Sequence, residues 1–358
     1  MRIVANFEVP YFQYLTENNQ LTEDAPILAK DIPHLIKLYK LMVHSRIFDT
    51  KAIALQRTGK MGTYPSTRGQ EAVFVGIGDA MQPNDVFVPY YRDAATLVQR
   101  GVNWSDILLY WGGDERGNNF AGVTKNFPYS VPIATQTLHA VGVATALKIK
   151  KNPSAVLTVI GEGGTSEGDF YEAMNVAGVW KLPVVFVVSN NQWAISVPRS
   201  AQTASETIAQ KAIATGFNGE QVDGNDVIAV QYRIEEALKK AREKFEPTLI
   251  EIICYRHSDH TTADDASRYE PKNSRETEWK KEPITRLRTY LESINAWSEE
   301  EEIKLQETCS VLVDKTVQDY LAIGDPAPES MFDYLYETLP EIYQEQRDML
   351  EIRGGQNG

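Results

Sequence analysis

Two stretches of the chain consist almost entirely of β-branched and aliphatic residues. They are SAVLTVI (154–160) and LPVVFVVS (182–189), and the segment 169–180 between them has a helical pattern. Strands that are apolar at every position, rather than at alternate positions, are buried on both faces, as in a parallel sheet covered by helices. The pattern therefore predicts a strand, a helix and a second strand within one parallel sheet.

The same alternation continues on both sides of this unit. Toward the C-terminus it predicts a strand and turn at 219–226, a helix at 227–245 and a strand at 247–256. Toward the N-terminus it predicts a short strand in DVFVPYYRD (85–93) and a helix in IATQTLHAVGVATALKIKK (133–151). Strands that alternate with helices predict an α/β fold with a doubly wound, mostly parallel sheet and helices on both faces.

The two ends of the chain follow different patterns. Residues 1–30 mix polar and aromatic side chains without a period, whereas residues 31–60 have the spacing of an amphipathic helix. From Glu276 onward the sequence is acidic and helical. We therefore predict an N-terminal arm (1–30), an α/β domain (31–275) and a C-terminal helical extension (276–358).

Composition and charge exclude some classes of function. The 36 Lys and Arg residues against 49 Asp and Glu give a formal net charge of −13, opposite in sign to the basic patches of nucleic-acid-binding proteins. No apolar run approaches the ~20 residues that a membrane span needs, and the N-terminus does not resemble a signal peptide, so we expect a cytoplasmic protein. Cys254 and Cys309 lie in apolar stretches, which favours buried thiols over a disulfide.

The strand at 154–160 ends in GEGG, which places one carboxylate, Glu162, among glycines. Glycines let the backbone approach a phosphate closely, but a carboxylate alone would repel it. Asn191 follows the next apolar strand, and the carboxyl ends of parallel strands meet at one edge of a sheet. A Mg²⁺ ion held by the oxygens of Glu162 and Asn191 and shared with a diphosphate would satisfy both requirements.

Other interpretations of this loop fit less well. A P-loop needs Gly-Lys-Ser/Thr, and a dinucleotide fingerprint needs a glycine where Ser166 stands. A purely structural strand-to-helix turn remains an alternative for GEGG taken alone. A non-catalytic metal- or nucleotide-binding partner protein and a structural scaffold of a large complex remain alternatives for the whole chain.

Glu162 and Asn191 together resemble the thiamine diphosphate motif, in which Gly-Asp-Gly is followed one helix and strand later by Asn-Asn. The segment GEGGTSEGDFYEAMNVAGVWKLPVVFVVSNNQWAIS (161–196), with PYYRD, VPIATQ and HTTADDASRY, resembles the alpha subunits of the thiamine-dependent first component of 2-oxoacid dehydrogenase complexes. The resemblance covers about residues 30–300 in order. Glu162 replaces the commoner Asp, as it does in branched-chain members of the family.

The resemblance implies a thiamine-diphosphate-binding fold and a set of site residues. Mg²⁺ would be bound by Glu162, the Asn191 side chain and the backbone carbonyl of Trp193. The cofactor would be bound by Tyr91, Arg92, Val131, Ile133, Glu162, Gly163, Gly164, Asn191 and His260. In this set the tyrosine and arginine hold the terminal phosphate, and the valine and isoleucine backbones contact the aminopyrimidine. A surface ion pair with Asp93 is the alternative for Arg92.

His260 is the catalytic residue that the resemblance implies, assisting acyl transfer to lipoyl, and Arg256 and Asp264 would order its loop. The family surrounds a monovalent cation, K⁺, with the residues matching Ser130, Thr135 and Gln136. Thr261 matches a position that is phosphorylated in animal relatives, and we do not predict that control here.

The resemblance also implies partners and a reaction. A separate beta subunit would supply the glutamate that activates the aminopyrimidine, in an α₂β₂ heterotetramer, and a lipoyl-bearing acyltransferase would accept the acyl group. GTYPSTRGQEA and WKLPVVFVV favour pyruvate as the substrate, whereas Glu162 favours a branched-chain 2-oxoacid. Tyr64 would favour pyruvate by narrowing the pocket, and a place in the core is the alternative for this residue. An acetoin dehydrogenase is a third alternative.

Overall fold

The computed structural model describes residues 1–120 and 122–354 of the chain, with side chains up to residue 350. Its strands, in chain order, are β1 (Tyr11–Phe12), β2 (Val86–Val88), β3 (Val156–Gly161), β4 (Val184–Asn190), β5 (Trp193–Ala194), β6 (Val197–Pro198), β7 (Asn218–Asp223) and β8 (Thr248–Ile253). Its α-helices are α1 (Ile32–Arg57), α2 (Glu71–Ala80), α3 (Ala94–Gln99), α4 (Trp104–Trp111), α5 (Thr135–Ile149), α6 (Gly168–Trp180), α7 (Arg199–Gln202), α8 (Val227–Lys244), α9 (Ser274–Trp279), α10 (Pro283–Ser293), α11 (Glu299–Ala322) and α12 (Glu341–Gly354).

Within the described residues, six strands form one parallel sheet in the order β1-β7-β8-β4-β3-β2, and β5 and β6 pair as a small antiparallel ribbon. The register of β3 and β4 places Gly161 opposite Ser189. Both strands therefore end at the same edge of the sheet, so Glu162 and Asn191 follow from neighbouring strand ends.

Different helices cover the two faces of the sheet. Leu157 and Val159 of β3 point into a core formed with α1, α2 and α8, whereas Val156 and Ile160 point into a second core formed with α5 and α6. Alternate residues of one strand are thus buried on opposite faces, which is why these strands are apolar at every position. The predicted α/β fold with a parallel sheet and helices on both faces is confirmed.

The N-terminal arm contains an element that the hydrophobic pattern did not predict. Residues Tyr11 and Phe12 form an edge strand parallel to β7. A strand of two residues is too short to show a period, and its pairing is made by backbone groups that any sequence provides. The arm is held next to the sheet by Asp226, whose buried carboxylate accepts from the backbone N–H of Tyr14 at 2.6 Å and of Leu15 at 2.7 Å.

The C-terminal helices pack beside α1. The hydroxyl of Tyr39 donates to Glu302 of α11 at 2.6 Å, and Ser298 and Glu301 form a capping box at the start of that helix. Cys254 and Cys309 are both free and buried, as predicted. No helix in the described ranges combines the length and the apolar composition that a bilayer span requires.

We expect Asp226→Asn to lower the free energy of unfolding by about 2–4 kcal/mol, because buried backbone N–H groups would lose their acceptor. The same carboxylate also accepts from Ile228 and Ala229 at the start of α8, so both the arm and the helix depend on it. Urea unfolding, together with limited proteolysis of the arm, measures the effect.

The matched control is Asp31→Asn, at the exposed N-cap of α1, where asparagine caps as well as aspartate. Equal losses of stability in the two variants would contradict the role given to Asp226.

Candidate active site

A cavity of about 410 Å³ lies beyond the ends of β3 and β4. All the residues predicted to bind the cofactor or the metal line it: Tyr91, Arg92, Val131, Ile133, Glu162, Gly163, Gly164, Asn191, Trp193 and His260. Of the residues matched to the monovalent cation, Ser130 and Gln136 line it and Thr135 lies outside the lining. The structure thus brings the predicted residues into one cavity, and the role of each stays a prediction.

The surroundings of Glu162 suit a carboxylate that binds a cation. Its Oε2 accepts from the backbone N–H of Asn191 at 3.2 Å, while its buried Oε1 has no hydrogen-bond partner among the described residues. Burial raises the pKa of Glu162 to about 6. An unpaired buried carboxylate oxygen is unfavourable unless a positive group binds it, so this oxygen fits a metal ion.

Two oxygens that follow the end of β4 suit the same ion. Asn191 Oδ1 accepts from the backbone N–H of Trp193 at 3.2 Å, and the Trp193 carbonyl accepts from Arg256 at 3.2 Å. Each of these oxygens has a second lone pair. Across the part of the chain that the structure describes, no three His, Cys, Asp or Glu side chains converge as a metal cluster. The donor set here is therefore one carboxylate, one amide and one carbonyl, which are hard oxygens of the kind Mg²⁺ prefers.

The two glycines after Glu162 are required by packing. A Cβ on Gly163 would lie 2.5 Å from the Cβ of Ala194, and one on Gly164 would lie 2.7 Å from a side-chain carbon of Ile160. The turn is also held by Lys211, which donates to the carbonyl of Thr165 at 2.8 Å. The backbone of the turn therefore stays close to the cavity without side chains of its own in the way.

Arg92 is almost completely buried at 1% exposure and is held by loop carbonyls. It donates to the carbonyl of Ser66 at 2.7 Å and to the carbonyl of His260 at 3.0 Å. Asp93 accepts instead from the backbone N–H of Tyr90 at 2.7 Å. The alternative of a surface ion pair between Arg92 and Asp93 is therefore wrong.

His260 lies between two arginines. Its Nδ1 is 3.2 Å from Arg92 Nη2 and 3.4 Å from Arg256 Nη1, and guanidinium groups only donate, so Nδ1 accepts. Burial, with the positive charges of Arg92 and Arg256, lowers the pKa of His260 to about 3. The imidazole is therefore neutral at physiological pH and carries its proton on Nε2, which makes it a hydrogen-bond donor on that side.

A small network of hydrogen bonds orders the loop that carries His260. Asp264 accepts from the backbone N–H of His260 at 2.8 Å and from the hydroxyl of Tyr269. Arg256 donates to the same hydroxyl at 2.8 Å and to the carbonyl of Ile195 at 2.8 Å. The loop is thus tied to the β5–β6 ribbon, and Arg256 and Asp264 make the contacts that their predicted role requires.

Part of the cavity wall comes from residues that no sequence motif marks. Thr63, Pro65 and Trp111 line the cavity, but Tyr64, expected to narrow it, is buried in the core and points into a neighbouring space beside Arg68. Trp111 comes from the end of α4, and no motif marks it. Alternation along 62–65 could have suggested that Thr63 and Pro65 face away from Tyr64.

An acid, an asparagine, a glycine backbone and a buried arginine lie together at the carboxyl edge of the parallel sheet, as the thiamine-diphosphate motif predicts. The family model described as "Dehydrogenase E1 component" matches residues 39–329. The chain belongs to this family, so the family and enzyme class predicted from the sequence are confirmed.

Individual relatives are similar over nearly their whole length. The chain is 41% identical over 332 residues to a "Pyruvate dehydrogenase E1 component subunit alpha" of Acholeplasma laidlawii, covering 91% of this chain and 96% of that protein. It is 36% identical over 339 residues to a protein of the same description from Staphylococcus aureus, covering 94% and 91%. A relative of that description from Staphylococcus epidermidis is 36% identical over 337 residues, covering 92% and 91%.

We expect the imidazole of His260 to stay neutral between about pH 8 and about pH 5, because protonation would place a third positive charge beside Arg92 and Arg256. NMR of ¹⁵N-histidine-labelled protein, with the signal assigned by His260→Gln, measures this. In the Arg92→Gln variant one of the two charges is removed, and the pKa of His260 should rise toward its ordinary value. A midpoint near 6.5 in the unaltered chain would contradict the environment described here.

Proposed function

We propose that the chain is the alpha subunit of a pyruvate dehydrogenase, which decarboxylates pyruvate oxidatively and transfers the acetyl group to a lipoamide of an acyltransferase. The observation that carries the proposal is the pairing of Glu162 and Asn191 at adjacent strand ends, next to a buried arginine. The descriptions of the relatives from Acholeplasma laidlawii and Staphylococcus aureus support pyruvate as the substrate.

Two sets of cavity residues would bind the two charged parts of the cofactor complex, the metal ion and the terminal phosphate. Glu162, Asn191 Oδ1 and the Trp193 carbonyl would hold Mg²⁺, and Tyr91 and Arg92 would hold the terminal phosphate. The planar guanidinium of Arg92 suits two hydrogen bonds to a phosphate. Fixing the diphosphate at both ends places the reactive ring of the cofactor, and accurate placement lowers the barrier of the reaction.

Thiamine diphosphate, when bound, supplies a carbanion for addition to the 2-oxo group and a place for the electron pair after CO₂ leaves. The chain supplies the surroundings. Trp111, Ile133 and Ile195 give the cavity apolar walls. The neutral His260 would donate a hydrogen bond from Nε2 to the reacting group or to the incoming lipoyl group.

The mouth of the cavity favours a second subunit. Three apolar side chains that line it are exposed, between 47% and 56%: Val131, Ile133 and Ile195. An exposed apolar patch at the rim of a site is typical of a protein interface. We therefore propose that a beta subunit docks here, contributes the glutamate that activates the aminopyrimidine and completes an α₂β₂ heterotetramer.

We expect Glu162→Ala, in the assembled enzyme, to lower decarboxylation by several orders of magnitude while assembly is retained, because one metal ligand is lost. Calorimetric titration with thiamine diphosphate and Mg²⁺ measures binding, and reduction of an artificial acceptor measures activity. Glu243→Gln, an exposed acid at the far end of α8, is the control and should leave both unchanged.

The same titration separates the alternative functions. Nucleotide binding that needs neither thiamine diphosphate nor the beta subunit would favour a nucleotide-binding partner protein. Unchanged decarboxylation in Glu162→Ala would favour a structural scaffold.

We expect kcat/KM to be higher for pyruvate than for 2-oxobutyrate, and higher for 2-oxobutyrate than for 2-oxoisovalerate, since the relatives are described as pyruvate dehydrogenase subunits and the bulky Trp111 and Pro65 form part of the cavity wall. Assays of the co-expressed alpha and beta subunits with the three acids measure this order. A preference for 2-oxoisovalerate would instead assign the chain to the branched-chain type, and activity with acetoin alone would assign it to acetoin dehydrogenases.

A further inference from the structure

Gln70 is a completely buried residue that lies just outside the lining of the cavity. It follows Gly69, whose φ of +88° and close approach to the Tyr255 carbonyl, 2.3 Å from where a Cβ would stand, admit only glycine. The turn is fixed by Glu71, which accepts from the Gly69 backbone N–H at 2.9 Å and pairs with Arg46. This rigid turn places the Gln70 side chain against the end of β4.

Gln70 and the backbone N–H of Trp193 together fix which way the Asn191 amide points. The backbone N–H of Trp193 can only donate, so the Asn191 atom 3.2 Å from it must be the oxygen Oδ1. The other end of the amide is therefore Nδ2, which donates to Gln70 Oε1 at 3.2 Å. A flipped Asn191 amide would place two donors together at Trp193 and two acceptors together at Gln70.

Folding alone does not explain a glutamine at this position. Gln70 is the N-cap residue of α2, but its side chain caps no backbone N–H of that helix. Its buried Nε2 has no hydrogen-bond partner in the described part of the chain, which is unfavourable for the folded state. Its Oε1 is fully used, because it also accepts from the hydroxyl of Ser189 at 3.1 Å.

We propose that Gln70 is a positioning residue of the metal site, which acts by fixing the Asn191 amide with its oxygen toward the ion. The inference rests on the proposed binding of Mg²⁺ by Glu162 and Asn191. Only the oxygen of an amide can ligate Mg²⁺, and a freely rotating amide would present nitrogen in part of its orientations. Removing a group that orients a metal ligand from behind typically lowers metal affinity about 10–100-fold.

The test uses the assembled enzyme with its beta subunit and the variant Gln70→Met, which keeps the volume and removes the acceptor. We expect the Mg²⁺ concentration that half-saturates thiamine diphosphate binding to rise about 10–100-fold. At saturating Mg²⁺, kcat should return close to that of the unaltered enzyme, since the ligands are intact. Calorimetry measures the affinity, and the paramagnetic resonance of Mn²⁺ in place of Mg²⁺ reports the coordination independently of activity.

Two further variants separate positioning from general packing. Gln70→Glu keeps an acceptor for Asn191 and should recover most of the metal affinity. Ser189→Ala removes the other donor to Gln70, leaves the contact with Asn191 in place and should leave the affinity unchanged. If Gln70→Met does not assemble, Gln70→Asn, which withdraws the acceptor by one methylene, takes its place with the same expected loss.

Unchanged Mg²⁺ affinity in the variant that lacks the acceptor, or an equal loss in Ser189→Ala, would overturn the inference. The proposed function has a different failure. If Glu162→Ala still bound thiamine diphosphate in a Mg²⁺-dependent way, the metal site itself would be misassigned, whatever the Gln70 variants show.

Discussion

The site depends on one hydrogen bond between neighbouring strand ends, from the backbone N–H of Asn191 to the carboxylate of Glu162. It exists because β3 and β4 are parallel and in register, so both end at the same edge of the sheet. The bond uses one oxygen of the carboxylate and leaves the other buried and unpaired. A covered sheet thus brings together two side-chain oxygens from distant parts of the sequence, and a buried carboxylate oxygen without a partner fits a cation.

The strands that are buried on both faces of the sheet could be predicted from the sequence. Strands such as 154–160 and 182–189 were predictable because burial on both faces requires apolar residues at every position. The strand at Tyr11–Phe12 was not, because it is specified by backbone pairing with β7 and by the acceptor Asp226, which lies more than two hundred positions away.

The site residues that belong to short sequence motifs could be predicted, and those placed by tertiary packing could not. Glu162 and Asn191 could be paired from the sequence because each ends an apolar strand. Trp111 and Gln70 could not, since their positions depend on how α4 and a glycine turn pack in three dimensions. The neutral state of His260 also depends on packing, because its two arginine neighbours come from different loops.

Two buried arginines, Arg92 and Arg256, supply positive charge beside the cavity. Arg92 and Arg256 are both buried, and neither forms a salt bridge with any residue that the structure describes. Each is held by carbonyl oxygens, which orient a guanidinium without neutralising its charge. Buried unpaired cations are unfavourable in the free chain, and an anion that binds beside Arg92 would recover part of that energy. The fold therefore stores positive charge where a diphosphate would lie and a single negative charge where its metal would lie. A separation of the two charges, rather than the net charge of the cavity, is what a metal-bound diphosphate would require.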